Sequence, residues 1–415
     1  MITFFYKMGM EVPKNVTNVI FDSTDIFDSA VTEVSEYAFR GCSNLKEVVL
    51  NEGLQKIGRA AFLRCILLTS IKLPSTVTEV GEGAFADCID LEVVVLNHGL
   101  SNIGMHAFMR CQSLTIIKLP STVTEVGEGA FGGCNNLKEV VFNEGLKIIR
   151  ERPFKRCHSL TIIKLPSTVT EVGEAAFMNC INLKEVVLNE GLINIGASAF
   201  SECRLLTSIR FPLSVNKVQD SLFSDCINLK TVILNEGLKT IGFAAFSDCK
   251  ALTSIKLPST ITEVSSYAFQ DCTNLREVAL NEGLQHIGEE AFVRCSSLEH
   301  VKFPSISKRV KNLLEAGQSE IQDKISNIQH FEWNGDDLLV HLEAVIDDWA
   351  ATKGHIDHIL SWISYYELKE ATSTIELAMW KAKIEEMGAV TIEERNTCQV
   401  DIPGPAKDTI LQYLE

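Results

Sequence analysis

The stretch Ala38-Phe-Arg-Gly-Cys-Ser-Asn-Leu45 decides the fold, because its pattern returns every 23 residues as far as Leu298. In twelve successive copies, phenylalanine is followed by cysteine three residues later and by leucine three residues after that. A strict period of about 20–50 residues is typical of a solenoid, in which each repeat forms one coil. We therefore predict a solenoid of twelve coils over residues 31–304.

The segment Leu114-Thr-Ile-Ile-Lys-Leu-Pro120 shows how one coil is built. Ile117 and Leu119 alternate with Lys118, which is the pattern of a half-buried strand, and the proline ends that strand because it has no N–H. One coil buries too few apolar side chains to offset the entropy of ordering 23 residues, so the coils must stack. The sequence therefore predicts parallel strands about 4.8 Å apart.

Between strands, a second apolar pair, Val123 and Val126, is followed by Gly127. Glycine holds this place in eight of the twelve repeats. We expect a tight bend here that disfavours a Cβ. In the sixth repeat Arg150-Glu-Arg-Pro153 interrupts the pattern, either as a functional hinge or as neutral drift.

A second period of 46 residues overlies the first. Odd repeats follow their strand with Asn-Glu-Gly-Leu or a near copy, whereas even repeats use Pro-Ser-Thr-Val or a near copy. The repeats therefore form six pairs.

The two ends of the chain depart from the repeat. Residues 1–30 contain one strand-like segment, 16–21, and a longer loop, as expected of an N-terminal cap. Residues 305–415 show apolar residues mostly at helical spacing, for example Ile356, Ile359 and Ile363, so we predict a mostly helical C-terminal region.

The phrase Leu-x-x-Ile-x-Leu-Pro-Ser-Thr-Val-x-x-Val-Gly-x-x-Ala-Phe-x-x-Cys, carried by Leu68 to Cys88, resembles the BspA-type (Treponema-type) leucine-rich repeat. The resemblance covers residues 31–304. It implies a curved right-handed solenoid of the α/β leucine-rich repeat class with mainly short parallel β-strands, used for binding proteins or surfaces and without catalytic activity. The segments Tyr365–Thr372 and Val400–Pro405 resemble the tail of such arrays in diatom-like algae, which favours a eukaryotic interior protein.

Composition limits the possible partners and compartment. The net charge of −16 argues against a nucleic-acid binder, since affinity for the phosphate backbone requires a basic face. The N-terminus lacks the pattern of a secretory signal, and no apolar run approaches the roughly 18 residues that span a bilayer. We therefore expect an intracellular, cytoplasmic protein without membrane insertion, although the sequon at Asn15 would suit a secreted chain.

The twelve cysteines that occur once per repeat, here called the cysteine column, suggest a metal or redox site. Their spacing argues against both. No repeat has a second cysteine, and no histidine recurs at a fixed place beside the cysteines, whereas zinc needs several converging ligands. We expect reduced cysteines packed in the core. His355 and His358 lack a third ligand, and no recurring nucleophile, base and acid is present, so we predict no enzyme, metal or cofactor site.

The candidate binding residues lie on the outward side of the predicted strands, at the place of Lys118. Six cations occupy this place in even repeats: Lys72, Lys118, Lys164, Arg210, Lys256 and Lys302. Aliphatic residues occupy it in the six odd repeats, including Val95, Val141 and Val187. Cations would then recur about every 9.6 Å. They either keep the sheet soluble and pair with neighbouring glutamates, or recognise an acidic protein or, as a weaker alternative, an acidic polysaccharide.

Three functions remain open. The leading hypothesis is a non-catalytic scaffold that binds proteins through the exposed sheet face. The alternative is a surface or extracellular adhesion or ligand-recognition protein, which a signal sequence or a glycan at Asn15 would favour. An enzyme in the C-terminal region around His341, His355 and His358 would require a bound metal.

Overall fold

The computed structural model describes residues 3–6, 11–21, 31–281 and 283–302. These residues form short β-strands joined by turns, and no helix occurs among them. In chain order the strands are β1 (Thr3–Tyr6), β2 (Asn18–Phe21), β3 (Glu33–Val34), β4 (Glu47–Val49), β5 (Lys56–Ile57), β6 (Ser70–Lys72), β7 (Glu79–Val80), β8 (Val93–Val95), β9 (Asn102–Ile103), β10 (Ile116–Lys118), β11 (Glu125–Val126), β12 (Glu139–Val141), β13 (Ile148–Ile149), β14 (Ile162–Lys164), β15 (Glu171–Val172), β16 (Glu185–Val187), β17 (Asn194–Ile195), β18 (Ser208–Arg210), β19 (Lys217–Val218), β20 (Thr231–Ile233), β21 (Thr240–Ile241), β22 (Ser254–Lys256), β23 (Glu263–Val264), β24 (Glu277–Ala279), β25 (His286–Ile287) and β26 (His300–Lys302).

From residue 31 onward the strands alternate between two sides of a parallel β-solenoid. The even-numbered strands β4 to β26 have three residues each and are called the main strands. The odd-numbered strands β3 to β25 have two residues each and are called the short strands. One coil consists of a short strand, the turn that contains the recurring phenylalanine, the next main strand and the turn that follows. Strand β4 therefore lies in coil 1 and β26 in coil 12.

Among strands β3 to β26, all pairings join successive coils in parallel, which confirms the predicted solenoid of twelve coils. The main strands lie where the sequence predicts them. The sheet of short strands is not anticipated, because two residues such as Glu125 and Val126 are too few to show an alternating pattern. It is nevertheless continuous over eight strands, from β3 to β17.

The twelve phenylalanines that recur once per repeat, here called the phenylalanine column, form the centre of the core. Eleven of its rings are fully buried: Phe39, Phe62, Phe85, Phe108, Phe131, Phe154, Phe177, Phe200, Phe223, Phe246 and Phe269. Successive rings along the column lie within 10° of parallel, with centroids between 4.9 and 5.7 Å apart. This distance falls in the favourable range for offset aromatic stacking. The stacked rings therefore form one continuous column through the core.

The recurring glycine is required for a different reason from the predicted bend. A Cβ added to Gly104 would lie 2.8 Å from the nitrogen of Glu82 and 2.9 Å from the oxygen of Val80, both in the preceding coil. Close stacking of the coils therefore excludes the side chain. Left-handed backbone occurs elsewhere in each coil, mostly at residues other than glycine, such as Ala60 (φ 50°) and Arg64 (φ 62°).

Asparagine side chains join odd coils to the coil before them. Asn97, after β8, donates from Nδ2 to the oxygens of Pro74 (2.6 Å) and Val77 (2.9 Å) in the turn after β6. Its Oδ1 accepts a hydrogen bond from the nitrogen of Gly99. The same pair of donated bonds recurs at Asn189, Asn235 and Asn281.

Threonine takes over this role in the even coils. Thr76, after β6, donates from Oγ1 to the oxygen of Leu54 in coil 1 at 2.7 Å, and Thr168 and Thr260 repeat the contact. The 46-residue period therefore reflects two alternating kinds of contact between coils.

Hydrogen bonding along the main strands pairs an even coil with the odd coil that follows it. Five such pairs have three residues in register: β6 with β8, β10 with β12, β14 with β16, β18 with β20 and β22 with β24. From an odd coil to the next even coil, β8 and β10 share one residue pair, and β12 and β14 lie in different sheets. Only β24 and β26 are in full register in that direction among the described strands.

Two strands precede the repeats and cover the first coil. The predicted strand within 16–21 is found as β2. Strand β1, which is not predicted from the sequence, pairs with it in parallel. The buried ring of Tyr6 lies 4.9 Å from the ring of Phe21 and 5.1 Å from that of Phe39. Tyr6 therefore closes the phenylalanine column at its N-terminal end.

The predicted helical region 305–415, with His341, His355 and His358, lies outside the described residues. The predicted domain boundaries at residues 30 and 304 stay predictions. In the part of the chain that the structure describes, no helix has the length and apolar character needed to cross a membrane.

Candidate functional site

The main strands present one surface to solvent. In β10, Ile117 is buried between Ile116 and Lys118, which are both exposed, because successive side chains of a strand point to opposite sides. We call the outward residues of the main strands the strand face. Its first row contains the first residue of each main strand, and its second row contains the third residue.

The second row alternates between a cation and an aliphatic side chain from one coil to the next. The strand register places Lys72 opposite Val95, Lys118 opposite Val141, Lys164 opposite Val187, Arg210 opposite Ile233 and Lys256 opposite Ala279. All five cations are exposed. The side chains of Val95 and Val187 are 45% and 42% exposed, whereas Val141 is half-buried.

Lys302 occupies the same place in β26, but its side chain is outside the described residues. The structure thus brings the other predicted candidates together in one row. Their role in binding stays a prediction.

The cations of the second row have no acidic partner in the described part of the chain. None of Lys72, Lys118, Lys164, Arg210 and Lys256 forms an ion pair within 4.0 Å there. Hydrogen bonds from Ser75 are the main cause of the lowered pKa of Glu52, and the charge of Lys72 is the smallest of the causes. Pairing with neighbouring glutamates, one of the predicted alternatives, is therefore not observed among these residues.

On the side of the short strands, several cations are neutralised by carboxylates of adjacent coils. Lys56 lies 3.3 Å from Glu79 on the neighbouring short strand, and Arg59 lies 3.0 Å from Glu82. Arg150 likewise pairs with Glu125 through two hydrogen bonds. The two sides of the solenoid therefore differ in how they compensate their charges.

The first row adds apolar surface next to the cations. Val93 and Ile116 lie opposite each other and are 50% and 42% exposed, and Ile162 is 43% exposed. Glu139 and Glu185 of the same row are also exposed. Clustered exposed aliphatic residues on a soluble protein are a common mark of a partner surface.

A shallow pocket of about 330 Å³ beside coil 6 is not anticipated from the sequence. Its lining residues are Lys155, Arg156, His158, Met178, Asn179 and Glu202. Nε2 of His158 lies 2.9 Å from Oδ1 of Asn179, whose amide donates to Glu202 in the next coil. These residues occupy variable places around the phenylalanine, so the only signal in the sequence is the excess of basic residues in the sixth repeat.

Stacking of the coils continues through this irregular repeat. The nitrogen of Phe131 donates to the oxygen of Pro153 at 2.8 Å, as the equivalent groups do in neighbouring coils. The hinge and drift interpretations of Arg150-Glu-Arg-Pro153 both stay predictions.

The cysteine column lies in the core, as predicted, and each described thiol from coil 2 onward has a specific acceptor. Cys134 donates from Sγ to the oxygen of Phe108 in the preceding coil at 3.2 Å. The same contact recurs at Cys65, Cys88, Cys111, Cys157, Cys180, Cys203, Cys226, Cys249, Cys272 and Cys295.

Burial raises the pKa of Cys88 and Cys134 to about 12, so these thiols stay protonated at neutral pH. All twelve cysteines of the column are free. Within the described ranges, no group of three His, Cys, Asp or Glu side chains could hold a metal ion.

Comparison with known proteins agrees with the geometry. The family model for the BspA type leucine rich repeat region matches residues 15–131, 101–230 and 194–322. A solved leucine-rich repeat protein from Bacteroides ovatus is 30% identical, with a TM-score of 0.58, and the match covers 72% of this chain and 82% of that one. A leucine rich cell surface protein from Faecalibacterium prausnitzii is 24% identical, with a TM-score of 0.48, over 70% of this chain and 88% of that one. A search of curated proteins found no match.

Proposed function

Because the chain belongs to the BspA-type leucine-rich repeat family, whose repeats serve as non-catalytic protein-binding or recognition scaffolds, we propose that it is an interaction scaffold that binds a protein partner on the strand face. The observation that carries this proposal is the second row. Its exposed cations lack ion-pair partners among the described residues and alternate with aliphatic side chains over ten coils. Uncompensated charge beside apolar surface suits a partner with the complementary pattern.

The partner surface is acidic. A cation of the second row gains most from a carboxylate that becomes partly desolvated on binding, since such pairs are stronger than exposed ones. An acidic protein also supplies apolar side chains to cover Val95 and Val187. A nucleic acid offers no such apolar groups on its phosphate backbone.

The experiment compares two triple variants of the full chain in quantitative affinity purification. The face variant carries Lys118→Glu, Lys164→Glu and Arg210→Glu. The control variant carries Lys147→Glu, Lys217→Glu and Lys239→Glu, which lie in or just before short strands and change the net charge equally. We expect the face variant to lose the partners of the wild type and the control variant to keep them. Equal recovery by both, with unchanged thermal unfolding, would overturn the proposal.

We further propose that the protein works inside the cell. The free, buried cysteine column supports this, because reduced thiols are the rule in interior compartments. Protease treatment of intact cells that produce the tagged chain provides the test. We expect the tag to be protected, whereas its digestion would favour the surface-adhesion alternative.

A further inference from the structure

We propose that the strand face binds an α-helix of its partner, oriented along the stacking direction and presenting acidic and aliphatic side chains on alternate turns. This inference rests on the proposed function, since it assumes that the strand face is the binding surface. It adds the secondary structure, the direction and the sequence pattern of the bound segment. Three properties of the strand face support it: the spacing of the coils, the alternation in the second row and the composition of the first row.

The spacing of the coils matches the pitch of a helix. Successive phenylalanine rings lie 4.9–5.7 Å apart, and hydrogen-bonded parallel strands lie about 4.8 Å apart. An α-helix rises about 5.4 Å per turn. One turn of a helix along the stacking direction therefore advances by about one coil, so residues three or four apart meet successive coils.

The alternation in the second row then selects the sequence of that helix. A carboxylate on one turn would lie at Lys118, an aliphatic side chain on the next turn at Val141, and a carboxylate again at Lys164. Written as heptads, the helix has an acid at position a and an aliphatic residue at position d. The residues at positions a and d, which form one stripe along the helix, would therefore contact both the cations and the aliphatic residues of the second row.

Other extended ligands match this row less well. Side chains on one side of a β-strand recur about every 6.6 Å, which fits neither one coil nor two. A polyproline II helix repeats about every 9.3 Å, which suits the cations but places no side chain opposite the aliphatic residues. An acidic polysaccharide leaves these residues uncovered too, and no outward position of the main strands carries a Phe, Tyr or Trp ring on which a sugar could stack.

The composition of the first row predicts which residues the helix carries on the side that faces this row. Ile116 and Ile162 are exposed in even coils, whereas Glu139 and Glu185 are exposed in odd coils. A helix bound on the second row would bring a neighbouring stripe over this row. Basic residues seven positions apart on that stripe would pair with Glu139 and Glu185, since seven residues span about 10.5 Å.

The test uses two synthetic peptides of about 28 residues, which is four heptads and about 42 Å of helix. The alternating peptide has Glu at every a position and Leu at every d position, with Ala, Gln and a few Lys elsewhere. The blocked peptide has the same composition, but its a and d positions carry Glu on two successive turns and then Leu on the next two turns. Binding to the full chain is measured by fluorescence anisotropy, and peptide helicity is matched by circular dichroism.

We expect the alternating peptide to bind at least about tenfold more tightly than the blocked peptide, which corresponds to about 1.4 kcal/mol. Its binding should be lost with Lys118→Glu, Lys164→Glu and Arg210→Glu and be kept with the control changes at Lys147, Lys217 and Lys239. Equal affinity for the two peptides, no binding of either, or binding only of a polyglucuronate would overturn the helix proposal. If protein partners are still lost from the face variant in that case, the proposed function stands while the helical ligand does not.

Discussion

The side chain of Asn97 offers the sharpest test of how the coils are joined. Replacement of Asn97 by alanine removes its bonds to Pro74 and Val77 in the preceding coil and its bond to Gly99. The oxygen of Pro74 keeps a bond from the nitrogen of Val77, so it is not left without a partner. At about 1 kcal/mol for each net bond, the free energy of unfolding should fall by about 2–3 kcal/mol. Urea unfolding followed by far-ultraviolet circular dichroism measures this change.

Asn51 provides a matched control in coil 1. Among the residues that the structure describes, its buried Oδ1 has no hydrogen-bond partner, and its Nδ2 donates only to the oxygen of Glu52, at 3.2 Å. The change Asn51→Ala should therefore cost well under the loss for Asn97→Ala. Equal losses for the two variants would refute the idea that asparagine joins the coils, and would assign the effect to the turn alone.

Three further predictions concern the core and the stacking of the coils. Phe131→Ala removes a ring stacked on both sides and should cost about 3–5 kcal/mol in thermal or urea unfolding, whereas Phe243→Ala, which is 49% exposed in the wild type, should cost far less. Gly104→Ala should lower the free energy of unfolding by about 1–3 kcal/mol, because the new Cβ would lie 2.8 Å from the preceding coil. Gly132→Ala should be tolerated, because the nearest atom to its new Cβ would be 3.4 Å away. Equal losses for the two variants would contradict the close stacking of the coils at Gly104. Burial raises the pKa of Cys88 from 9.0 to about 12, so the unfolded chain loses this proton first and stability should fall as pH rises from 9 to 12. In the same folded protein, Cys88 should resist a thiol reagent at pH 8, and rapid labelling without unfolding would contradict its burial.

The parts of the fold that could be predicted are those that repeat without exception. Phe131 and Cys134 recur at constant spacing, and only stacked coils give every such residue the same buried environment. The exposure of Lys118 could likewise be predicted, because side chains alternate across a strand.

The contacts between polar groups could not be predicted in the same way. Asn97 follows a strand in a polar turn, where sequence alone suggests exposure, yet its amide is buried against the preceding coil. The short strands could not be recognised in the sequence, because two residues are too few to show an alternating pattern. The close approach at Gly104 depends on the backbone of another coil, so the glycine pattern suggested a bend instead. Lys118 forms no ion pair with the described residues, and this could be recognised only from the positions of the surrounding carboxylates.

The central claim, that the strand face is the surface that meets the partner, is tested most directly by site-specific photocrosslinking in cells. A photoreactive amino acid is placed at Val95 or Val187 on the strand face, and at Asn102 or Asn194, which are exposed on short strands. We predict that the two strand-face positions crosslink to the same partner protein and that the two short-strand positions do not. Crosslinks to that partner from Asn102 and Asn194, with none from Val95 and Val187, would contradict the claim.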